Sequence, residues 1–362
     1  MRCAHSLMTE PRTLLITGGA GFIGSALVRH LLADTDTRVV TLDLMTYAAH
    51  PATLDVVRRH PRHAFEHASV CNAAAVGAIL EKHQPDGIIH LAAESHVDRS
   101  IDDAENFVMT NVVGTWTLLE RATAYWKSLS PARRERFRFH HVSTDEVFGE
   151  LGEEGSFTED SRYAPSSPYS ASKASADHFV RAWNRTYGLP TVLSNCSNNY
   201  GPYQFPEKLV PLMIVNGIQG LKLPVYAKGE NVRDWLHVED HASALWTIFS
   251  RGRVGETYNV SARSERRNID VVRTICAILD EKRPNAACTP HAGLITFVAD
   301  RPGHDWRYAV DSTKLTKDLG WKPRFGFEDG LRATIDWYLA NASWWQSILD
   351  GSYRRQQESV AV

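Results

Sequence analysis

Residues 17–24 read TGGAGFIG, and this stretch decides the fold. It follows the apolar run TLLIT (13–17) and carries three glycines in a G-x-x-G-x-x-G spacing, at Gly18, Gly21 and Gly24. Because the first two glycines lack a Cβ atom, the chain can turn tightly and approach a diphosphate, and the third lets a helix pack closely on a strand. The free N–H groups at the start of that helix attract an anion. The stretch therefore predicts a dinucleotide-binding turn between a first strand and a first helix.

Short apolar runs alternate with helical patterns over the first half of the chain. The runs are RVVTLD (38–43), DGIIHLAA (86–93) and FRFHHVST (137–144), and the helical stretches include FIGSALVRHLLAD (22–34) and NVVGTWTLLERATAYW (111–126). Short continuous apolar runs are typical of strands buried on both faces, and strands that alternate with helices form parallel sheets. The predicted fold class is α/β, with a Rossmann-type doubly wound parallel sheet.

The pattern changes after about residue 190. The segment NNYGPYQFPEKLVPL (198–212) is rich in proline, asparagine and aromatic residues, which predicts a structured loop region without a long regular element. Helices are predicted again at 269–280 and 331–341, and Asn268 and Asp329 are the residues expected to cap them.

The length of 362 residues exceeds the ~250–300 residues at which a single core usually stops growing, so two domains are expected. We predict a Rossmann domain over 11–195 that returns near 232–254. A smaller α/β substrate lobe is expected mainly over 196–350, with flexible ends at 1–10 and 351–362.

The composition excludes several classes of partner. Forty Lys and Arg against 42 Asp and Glu give a formal net charge of −2, which favours neither nucleic acid nor an anionic membrane. No apolar run reaches the ~18 residues needed to span a bilayer, and the first ten residues lack the apolar core of a signal peptide. The five cysteines are scattered, without the CxxC spacing of metal or redox sites, so no metal is expected. We therefore expect a cytoplasmic protein with reduced thiols.

Asp43 ends the second predicted strand, 25 residues after Gly18. A carboxylate at this position can accept hydrogen bonds from the adenosine ribose hydroxyls and would repel a 2′-phosphate, which favours NAD over NADP. The alternative is that Asp43 is only a polar residue at the end of a strand.

The segment SSPYSASK (166–173) places Tyr169 and Lys173 four residues apart. Ser167 can cap a helix that starts at Pro168, so the two side chains would share one helix face. A lysine ammonium close to a tyrosine lowers the phenol pKa from ~10, which makes a base that can take a proton from a sugar hydroxyl. Because Y-x-x-x-K is frequent by chance, an exposed helix pair is the alternative.

The segment STDEVFG (143–149) follows an apolar strand, at the sheet edge where open α/β sheets bind their ligands. Thr144, Asp145 and Glu146 are therefore expected to enter the site. Two acids can divide a reaction between them if their surroundings separate their pKa values, one acting as proton donor and the other as base. Elimination of water needs this division. Adjacent carboxylates that are merely solvated are the alternative.

Seven segments are long and unusual enough to identify a family. They are TGGAGFIGS (17–25), LAAESHVDRSI (91–101), STDEVFG (143–149), PSSPYSASKA (165–174), SNNYGPYQFPEKL (197–209), RDWLHVEDH (233–241) and DRPGHDWRYAVD (300–311). In these segments the chain resembles the dTDP-glucose 4,6-dehydratases, a family of extended short-chain dehydrogenases/reductases, from about Thr13 to Trp345. The related 4-epimerases lack the Asp-Glu pair of STDE, and the GDP-mannose dehydratases carry a different neighbour at its Asp position.

The resemblance implies a redox-neutral lyase reaction with bound NAD. dTDP-glucose would be converted to dTDP-4-keto-6-deoxyglucose by oxidation at C4, loss of water across C5–C6 and reduction at C6, in deoxysugar biosynthesis of the rhamnose type. Tyr169, helped by Lys173 and Thr144, would take the proton from O4. Glu146 would take the C5 proton, and Asp145 would protonate the departing C6 hydroxyl. The resemblance also implies a homodimer joined through helices of the nucleotide-binding domain.

The resemblance further implies the residues that contact each ligand. Together with the glycine turn, the NAD contacts would be Phe22, Ile23, Asp43, Leu44, Met45, Thr46, Ser69, Val70, Leu91, Ala92, Ala93, Ser95, Thr110, Tyr169 and Lys173. The nucleotide sugar would contact Ser95, Thr144, Asn198, Lys208, Leu209, Pro224, Val225, Tyr226, Arg233, Asn268, Asp300, Arg301 and His304. Taken singly, each cation could be a solvated surface charge, Asn268 a helix cap and His304 a residue that orients a loop.

Three positions depart from the pattern of the family, and three functions stay open. Ser69-Val70 stands where the family usually has Asp-Ile, Ala227 replaces a glycine, and Ser261-Ala262 replaces a glycine pair. The last two lie in the predicted substrate lobe and bear on nucleotide preference. A UDP- or GDP-sugar dehydratase and an NAD-binding module without activity are therefore alternatives to the dTDP-glucose dehydratase, although the intact Tyr169 and Lys173 disfavour the module.

Overall fold

The computed structural model describes residues 13–284 and 287–354. Of the flexible ends predicted at 1–10 and 351–362, only 351–354 fall within these residues. Tyr353 is buried there, and its hydroxyl donates to the Tyr47 carbonyl oxygen at 2.8 Å.

A seven-stranded sheet forms the centre of the N-terminal part. The strands of the described chain are β1 (Thr13–Thr17), β2 (Arg38–Asp43), β3 (His63–His67), β4 (Gly87–His90), β5 (Arg138–Thr144), β6 (Thr191–Cys196), β7 (Asn198–Tyr200), β8 (Leu223–Tyr226), β9 (Val232–His237), β10 (Thr257–Val260), β11 (Glu265–Arg267) and β12 (Ile295–Val298). The central sheet has the order β3-β2-β1-β4-β5-β6-β10, and every neighbouring pair is parallel. Ile16 in β1 pairs with Thr41 on one side and with Ile89 on the other.

Helices cover both faces of this sheet. The helices of the described chain are α1 (Phe22–Asp34), α2 (Asp55–Arg58), α3 (Ala73–His83), α4 (Val97–Asp102), α5 (Ala104–Phe107), α6 (Gly114–Ser128), α7 (Pro131–Arg136), α8 (Pro168–Tyr187), α9 (Leu209–Gln219), α10 (Val238–Arg251), α11 (Asn268–Lys282), α12 (Thr313–Leu319), α13 (Phe327–Ala340) and α14 (Ala342–Leu349). Short 3₁₀ turns span Pro51–Leu54, Asp145–Phe148 and His291–Leu294, and a π-helical segment (Val108–Val113) leads into α6.

Successive residues of β1 pack into opposite halves of the core. Leu14 and Ile16 join the apolar cluster formed with α1 and α10, whereas Leu15 joins the cluster formed with α3, α6 and α8. All three side chains are fully buried, because side chains alternate between the faces of a strand and both faces are covered. The predicted doubly wound parallel α/β sheet is confirmed.

A second core lies in the C-terminal part. Small sheets β11-β9-β7 and β12-β8 border it, and α9, α11, α13 and α14 supply most of its buried side chains. The tryptophan-rich end belongs to this core: Trp344 and Trp345 are buried, and the Trp337 ring lies 5.2 Å from that of Trp344. These tryptophans therefore pack in or against the C-terminal core.

The structure corrects three local predictions in this part. Segment 198–212, predicted as a loop, contains β7 and the start of α9. Pro211 is tolerated there because it lies in the first turn, where backbone N–H groups have no intrahelical partner. The predicted capping residues Asn268 and Asp329 lie inside their helices, and Arg267 and Gly326 occupy the N-cap positions.

Within residues 13–284 and 287–354, no helix is both long enough and apolar enough to cross a membrane.

Candidate active site

The glycine turn fits the diphosphate of a dinucleotide. A Cβ atom on Gly18 would lie 2.6 Å from the Ala92 nitrogen, and one on Gly24 would lie 2.1 Å from the Gly18 carbonyl oxygen, so packing requires both glycines. Gly21 differs, because its φ of −72° suits any residue and a Cβ there would meet only the Gly18 oxygen at 3.3 Å. Gly21 lines the adjoining cavity and is the N-cap of α1, so a diphosphate held by the first N–H groups explains its lack of a side chain.

Asp43 is held at the end of β2 by two backbone donors. Its Oδ2 accepts from the Ala20 nitrogen at 2.9 Å and its Oδ1 from the Met45 nitrogen at 2.8 Å. Burial raises the pKa of Asp43, and these two hydrogen bonds oppose that rise. Since each carboxylate oxygen can accept more than one hydrogen bond, Asp43 could still receive ribose hydroxyls as predicted.

A cavity of about 510 Å³ runs from the glycine turn to the ends of β5 and β6. Its lining contains all but one of the residues predicted to contact NAD: Gly18, Gly21, Phe22, Ile23, Gly24, Asp43, Leu44, Thr46, Ser69, Val70, Leu91, Ala92, Ala93, Ser95, Thr110, Tyr169 and Lys173. Met45 is the exception, since its side chain is buried in the core beside the turn. A cavity of this size and lining can hold an extended dinucleotide together with part of a second ligand.

The start of α8 sets the positions of Tyr169 and Lys173. The Ser167 Oγ accepts from the Ser170 nitrogen at 3.1 Å, and the Ser170 Oγ accepts from the Ser167 nitrogen at 3.0 Å, which is a capping box. Pro168 occupies the first helical position, as predicted. Both Tyr169 and Lys173 are buried, and both line the cavity.

The ammonium of Lys173 does not give Tyr169 a low pKa in this arrangement. Its Nζ donates to the Val142 carbonyl oxygen at 2.8 Å, and burial lowers the pKa of Lys173 itself. Burial raises the pKa of Tyr169 well above its usual value, and the negative charge of Glu146 raises it further. The prediction that spacing alone would give a low-pKa phenol is therefore wrong here, because burial outweighs the lysine.

Thr144, Asp145 and Glu146 lie where β5 ends in a 3₁₀ turn. The Thr144 Oγ1 accepts from the Glu146 nitrogen at 3.3 Å, is 3.3 Å from the Asp145 Oδ1, and shares a hydrogen bond with the Tyr169 phenol. Burial raises the pKa of Asp145 well above its usual range, and the charge of Glu146 adds to that rise. Among the described residues, the Asp145 Oδ2 has no hydrogen-bond partner, as suits a protonated acid that awaits an acceptor.

Three cations lie around Glu146 and make its pKa differ from that of Asp145. Burial raises the pKa of Glu146, whereas the charges of Arg233, Arg301 and Lys208 lower it. Of these three cations, Arg233 is the one whose charge also lowers the pKa of Asp145. The two carboxyl groups therefore differ in the predicted direction: Asp145 is the more strongly held in its protonated form, and Glu146 ionises more readily.

The cations come from separate elements of the C-terminal part. The Lys208 Nζ donates to the Ser95 carbonyl oxygen at 2.8 Å, and the buried Arg233 donates to the Asp305 carbonyl oxygen at 2.8 Å. Arg301 contacts Asp98 at 3.5 Å. Each retains donor groups for an anionic ligand, because an ammonium carries three N–H groups and a guanidinium five.

The remaining residues predicted to bind substrate fall into two groups. Ser95, Thr144, Asn198 and Lys208 line the cavity. The others, Leu209, Pro224, Val225, Tyr226, Arg233, Asn268, Asp300, Arg301 and His304, are not among its lining residues. Val225 buries its side chain in the C-terminal core, which leaves only its backbone for a ligand.

Several of the second group still contact one another near the cavity. The Tyr226 hydroxyl donates to Asp98 at 3.3 Å, and the Tyr226 ring lies 5.8 Å from the His304 ring. The His304 Nδ1 is 2.6 Å from the Asp300 Oδ1, which supports the loop-orienting role weighed for this histidine. The side-chain oxygens of Asn198 and Asn268 are buried without a partner in the described chain, as expected of groups that await a ligand.

Sequence reasoning missed a buried polar network beneath the site. The Asp177 Oδ2 accepts from the Ser143 Oγ at 2.9 Å and from the Tyr163 hydroxyl at 2.8 Å, and its Oδ1 lies 3.2 Å from the His141 Nε2. Burial alone would raise the pKa of Asp177, but the nearby His141 imidazole, the charge of Lys173 and the hydrogen bond from Ser143 lower it. The signal was available, since Asp177 follows Lys173 by four residues on the same helix face.

The departures from the family pattern have local structural consequences. The Ser69 Oγ lines the cavity edge and accepts from the Cys71 nitrogen at 3.2 Å. Ala227 has a φ of +47°, a conformation that favours glycine. The Ser261 Oγ donates to the buried Asp234 carboxylate, whose pKa burial raises to about 6.

A parallel Rossmann-type sheet, a glycine turn and a Tyr-Lys pair beside two acids with separated pKa values define a short-chain dehydrogenase/reductase that acts on a nucleotide sugar. A family profile described as GDP-mannose 4,6 dehydratase matches residues 15–334. The dTDP-glucose 4,6-dehydratase of Neisseria meningitidis serogroup B is 57% identical over 349 residues, covering 96% of this chain and 98% of that protein. The dTDP-glucose 4,6-dehydratase 1 of Escherichia coli K12 is 54% identical over 350 residues, covering 94% and 96%.

A solved structure agrees with these relatives. The dTDP-glucose 4,6-dehydratase of Streptomyces venezuelae, crystallised with NAD, is 42% identical with a TM-score of 0.84, and the match covers 93% of this chain and 99% of that one. The chain belongs to the dTDP-glucose 4,6-dehydratase family.

Proposed function

We propose that the protein dehydrates dTDP-glucose to dTDP-4-keto-6-deoxyglucose, as a hydro-lyase that uses NAD in deoxysugar biosynthesis. The observation that carries the proposal is the pair of adjacent acids at the end of β5. Asp145 is buried with a strongly raised pKa, and Glu146 is surrounded by cations. Elimination of water needs one group that donates a proton and another that removes one, and this pair supplies both.

NAD held along the glycine turn would supply the redox chemistry, as acceptor of the C4 hydride and donor of the hydride to C6, and its positive charge would favour the phenolate form of Tyr169. Tyr169 takes the proton from the sugar O4, and the Thr144 hydroxyl orients the phenol for that transfer. Lys173 is held by the hydrogen bond of its ammonium to the Val142 carbonyl oxygen, and it lines the same cavity as the phenol.

The two acids act once C4 is a ketone. The ketone acidifies the C5 hydrogen, and Glu146 removes it as a proton. Asp145 gives its proton to the C6 hydroxyl, which leaves as water. Asp145 can do so because burial raises its pKa well above the usual range and so favours the protonated form, and its Oδ2 is unpartnered within the described residues.

The lobe beyond the sheet would bind the nucleotide. Lys208, Arg233 and Arg301 would meet the diphosphate by charge-assisted hydrogen bonds. The unpartnered Asn198 and Asn268 side chains would bond polar groups of the sugar nucleotide. We divide the chain accordingly into a Rossmann domain (11–195), with returns near 232–254, and a substrate lobe mainly over 196–350. In support, α10 packs against α1, while α9, α11, α13 and α14 share a separate core.

We also propose a homodimer in the cytoplasm. The helices expected to join the subunits are those at 111–126 and after Ser167. Trp116, Val108 and Met109 on the first of them and on the segment before it are 46%, 49% and 44% exposed, which is unusual for large apolar residues and fits a subunit contact. Cytoplasmic location is supported by four cysteines that are free in the described chain.

Incubation with dTDP-glucose, without added NAD, tests the proposal. The expected product is a base-labile 4-keto-6-deoxy sugar that absorbs in alkali, and UDP-glucose and GDP-mannose are expected to react more slowly. Tyr169→Phe should abolish turnover, whereas Tyr187→Phe, which alters an exposed tyrosine on the same helix, should not. Formation of dTDP-galactose alone would instead indicate an epimerase, and undiminished turnover by Tyr169→Phe would remove Tyr169 from the oxidation step.

A further inference from the structure

Outside the cavity, a cysteine, a histidine and an aspartate form a linear chain of contacts at the far side of the C-terminal part. The Cys288 Sγ lies 3.3 Å from the His291 Nε2, and the His291 Nδ1 lies 2.5 Å from the Asp280 Oδ1. Asp280 belongs to the last turns of α11, and His291 opens the 3₁₀ turn that follows. None of the three lines the cavity that holds the proposed dehydratase site.

The contacts fix which nitrogen of His291 carries a proton. The Asp280 Oδ1 accepts from the His291 backbone nitrogen at 2.9 Å as well as from Nδ1. A carboxylate bonded to Nδ1–H leaves Nε2 as the acceptor, so the imidazole is oriented to receive the Cys288 thiol proton. Because Asp280 and Cys288 lie against opposite ring nitrogens, the three groups do not converge on one point as metal ligands would.

The degree of burial of these three residues favours chemistry at the Cys288 sulfur. The His291 side chain is fully buried and that of Asp280 is 27% exposed, so the base is shielded from water. Cys288 is partly exposed, so a reagent can reach it. A partly buried orienting carboxylate, a shielded imidazole and an accessible thiol are an arrangement that activates cysteine nucleophiles.

We propose that Cys288 is an activated thiol that exchanges with low-molecular-weight disulfides and is a modification site of the C-terminal lobe. The Cys288 sulfur attacks one sulfur of the reagent disulfide, a new S–S bond forms, and the reagent S–S bond breaks. The thiol proton passes to the His291 Nε2 and from there to the departing thiolate. Cys288 is oxidised to a mixed disulfide, and the other half of the reagent is reduced to a thiol.

Cys71 provides an internal control. It is also a partly exposed free cysteine, and its Sγ donates to the Met109 carbonyl oxygen at 3.3 Å, as the Cys288 Sγ does to the Gly217 carbonyl oxygen at 3.8 Å. The difference is that no imidazole contacts the Cys71 sulfur within the described residues. A positioned general base typically speeds a step that needs proton removal by about 10²-fold or more, so an imidazole at Cys288 and none at Cys71 should separate the two reaction rates.

The test uses the full chain with oxidised glutathione at pH 7, followed by peptide mass mapping, which distinguishes the cysteines. We expect Cys288 to be modified at least about tenfold faster than Cys71, because a positioned base assists only the former. His291→Gln and the milder Asp280→Asn should lower the Cys288 rate about tenfold or more while the Cys71 rate stays constant. Cys288→Ser should retain wild-type turnover of dTDP-glucose.

Two results would overturn the proposal. Equal rates at Cys288 and Cys71 in the unmutated protein would show that the cluster only ties the segment to α11, and this measurement needs no variant to fold. An unchanged ratio of the two rates in Asp280→Asn, with turnover of dTDP-glucose intact, would show that the carboxylate does not orient the base.

Discussion

Replacing each acid of the pair by its amide should stop the dehydration at two different points. Asp145→Asn introduces a neutral amide of similar size at a position where burial and the Glu146 charge already favour the neutral acid by raising the pKa of Asp145 well above its usual range. The free energy of unfolding should therefore change by no more than about 1 kcal/mol, the value of one hydrogen bond. This variant therefore removes the proton donor with little change in folding stability.

The expected kinetic loss is large. An amide cannot give a proton to the C6 hydroxyl, and a positioned general acid contributes about 10²- to 10⁴-fold, equivalent to about 3–5 kcal/mol of barrier. Glu146→Gln should lose a comparable factor for a different reason, since it removes the base at C5.

Deuterium exchange distinguishes the two variants. In heavy water, Asp145→Asn retains Glu146, so the C5 hydrogen of the 4-keto intermediate is removed and replaced, and recovered dTDP-glucose should carry deuterium at C5. Glu146→Gln should leave C5 unlabelled. Mass spectrometry of the recovered substrate measures both. Turnover by Asp145→Asn within tenfold of wild type would refute the assigned acid, and exchange in Glu146→Gln but not in Asp145→Asn would reverse the two roles.

Three further predictions concern other parts of the molecule. Gly24→Ala places a Cβ atom 2.1 Å from a backbone oxygen and should lower the free energy of unfolding by about 1–3 kcal/mol in urea and remove most NAD affinity in a titration. Its control is Gly77→Ala, whose Cβ atom would have 4.0 Å of clearance on α3 and which should stabilise the protein by about 0.5–1 kcal/mol. Equal effects of the two substitutions would count against the packing argument. Asp234 has a pKa of about 6 in the folded protein, above its unfolded value, so the cost of burying its charge appears as pH rises from about 4 to 6. The resulting loss of stability over that window, about 3 kcal/mol, should be absent in Asp234→Asn. Identical profiles of stability against pH for the two proteins would contradict this. Arg62→Ala removes the donors to the carbonyl oxygens of residues 32, 35 and 37 at the end of α1. The free energy of unfolding, measured by thermal unfolding, should fall by about 2 kcal/mol, while turnover at 25 °C is retained. An unchanged unfolding temperature would show that water replaces the guanidinium.

The sheet was predictable because its signals are local. Buried parallel strands need short continuous apolar runs, and the glycine turn follows the first of them directly, so TLLIT and TGGAGFIG sufficed to predict β1 and the start of α1. The capping box of α8 was equally readable, because Ser167 and Pro168 act within one turn.

The C-terminal part was less predictable because its local signals conflict. Pro211 argues against a helix in most contexts, yet α9 accepts it in its first turn, and the position of that turn depends on packing against α11. Asn268 is a good capping residue by type, but the helix begins one residue earlier than its side chain could cap. The prediction of a lowered pKa for Tyr169 failed for a similar reason. The spacing places Lys173 nearby but does not show that its ammonium donates to the Val142 carbonyl oxygen.

The charge around Glu146 explains why the net charge of −2 gave no hint of an anionic ligand. Lys208, Arg233 and Arg301 come from three separate elements, and only the fold brings them to one carboxylate of the central sheet. Their arrangement has a consequence for the reaction. A diphosphate bound by these cations cancels part of their charge, which weakens their lowering of the Glu146 pKa and makes the carboxylate a stronger base. We therefore expect substrate binding itself to strengthen the base that removes the C5 proton, so the lobe that recognises the nucleotide also controls the acid–base chemistry of the sheet edge.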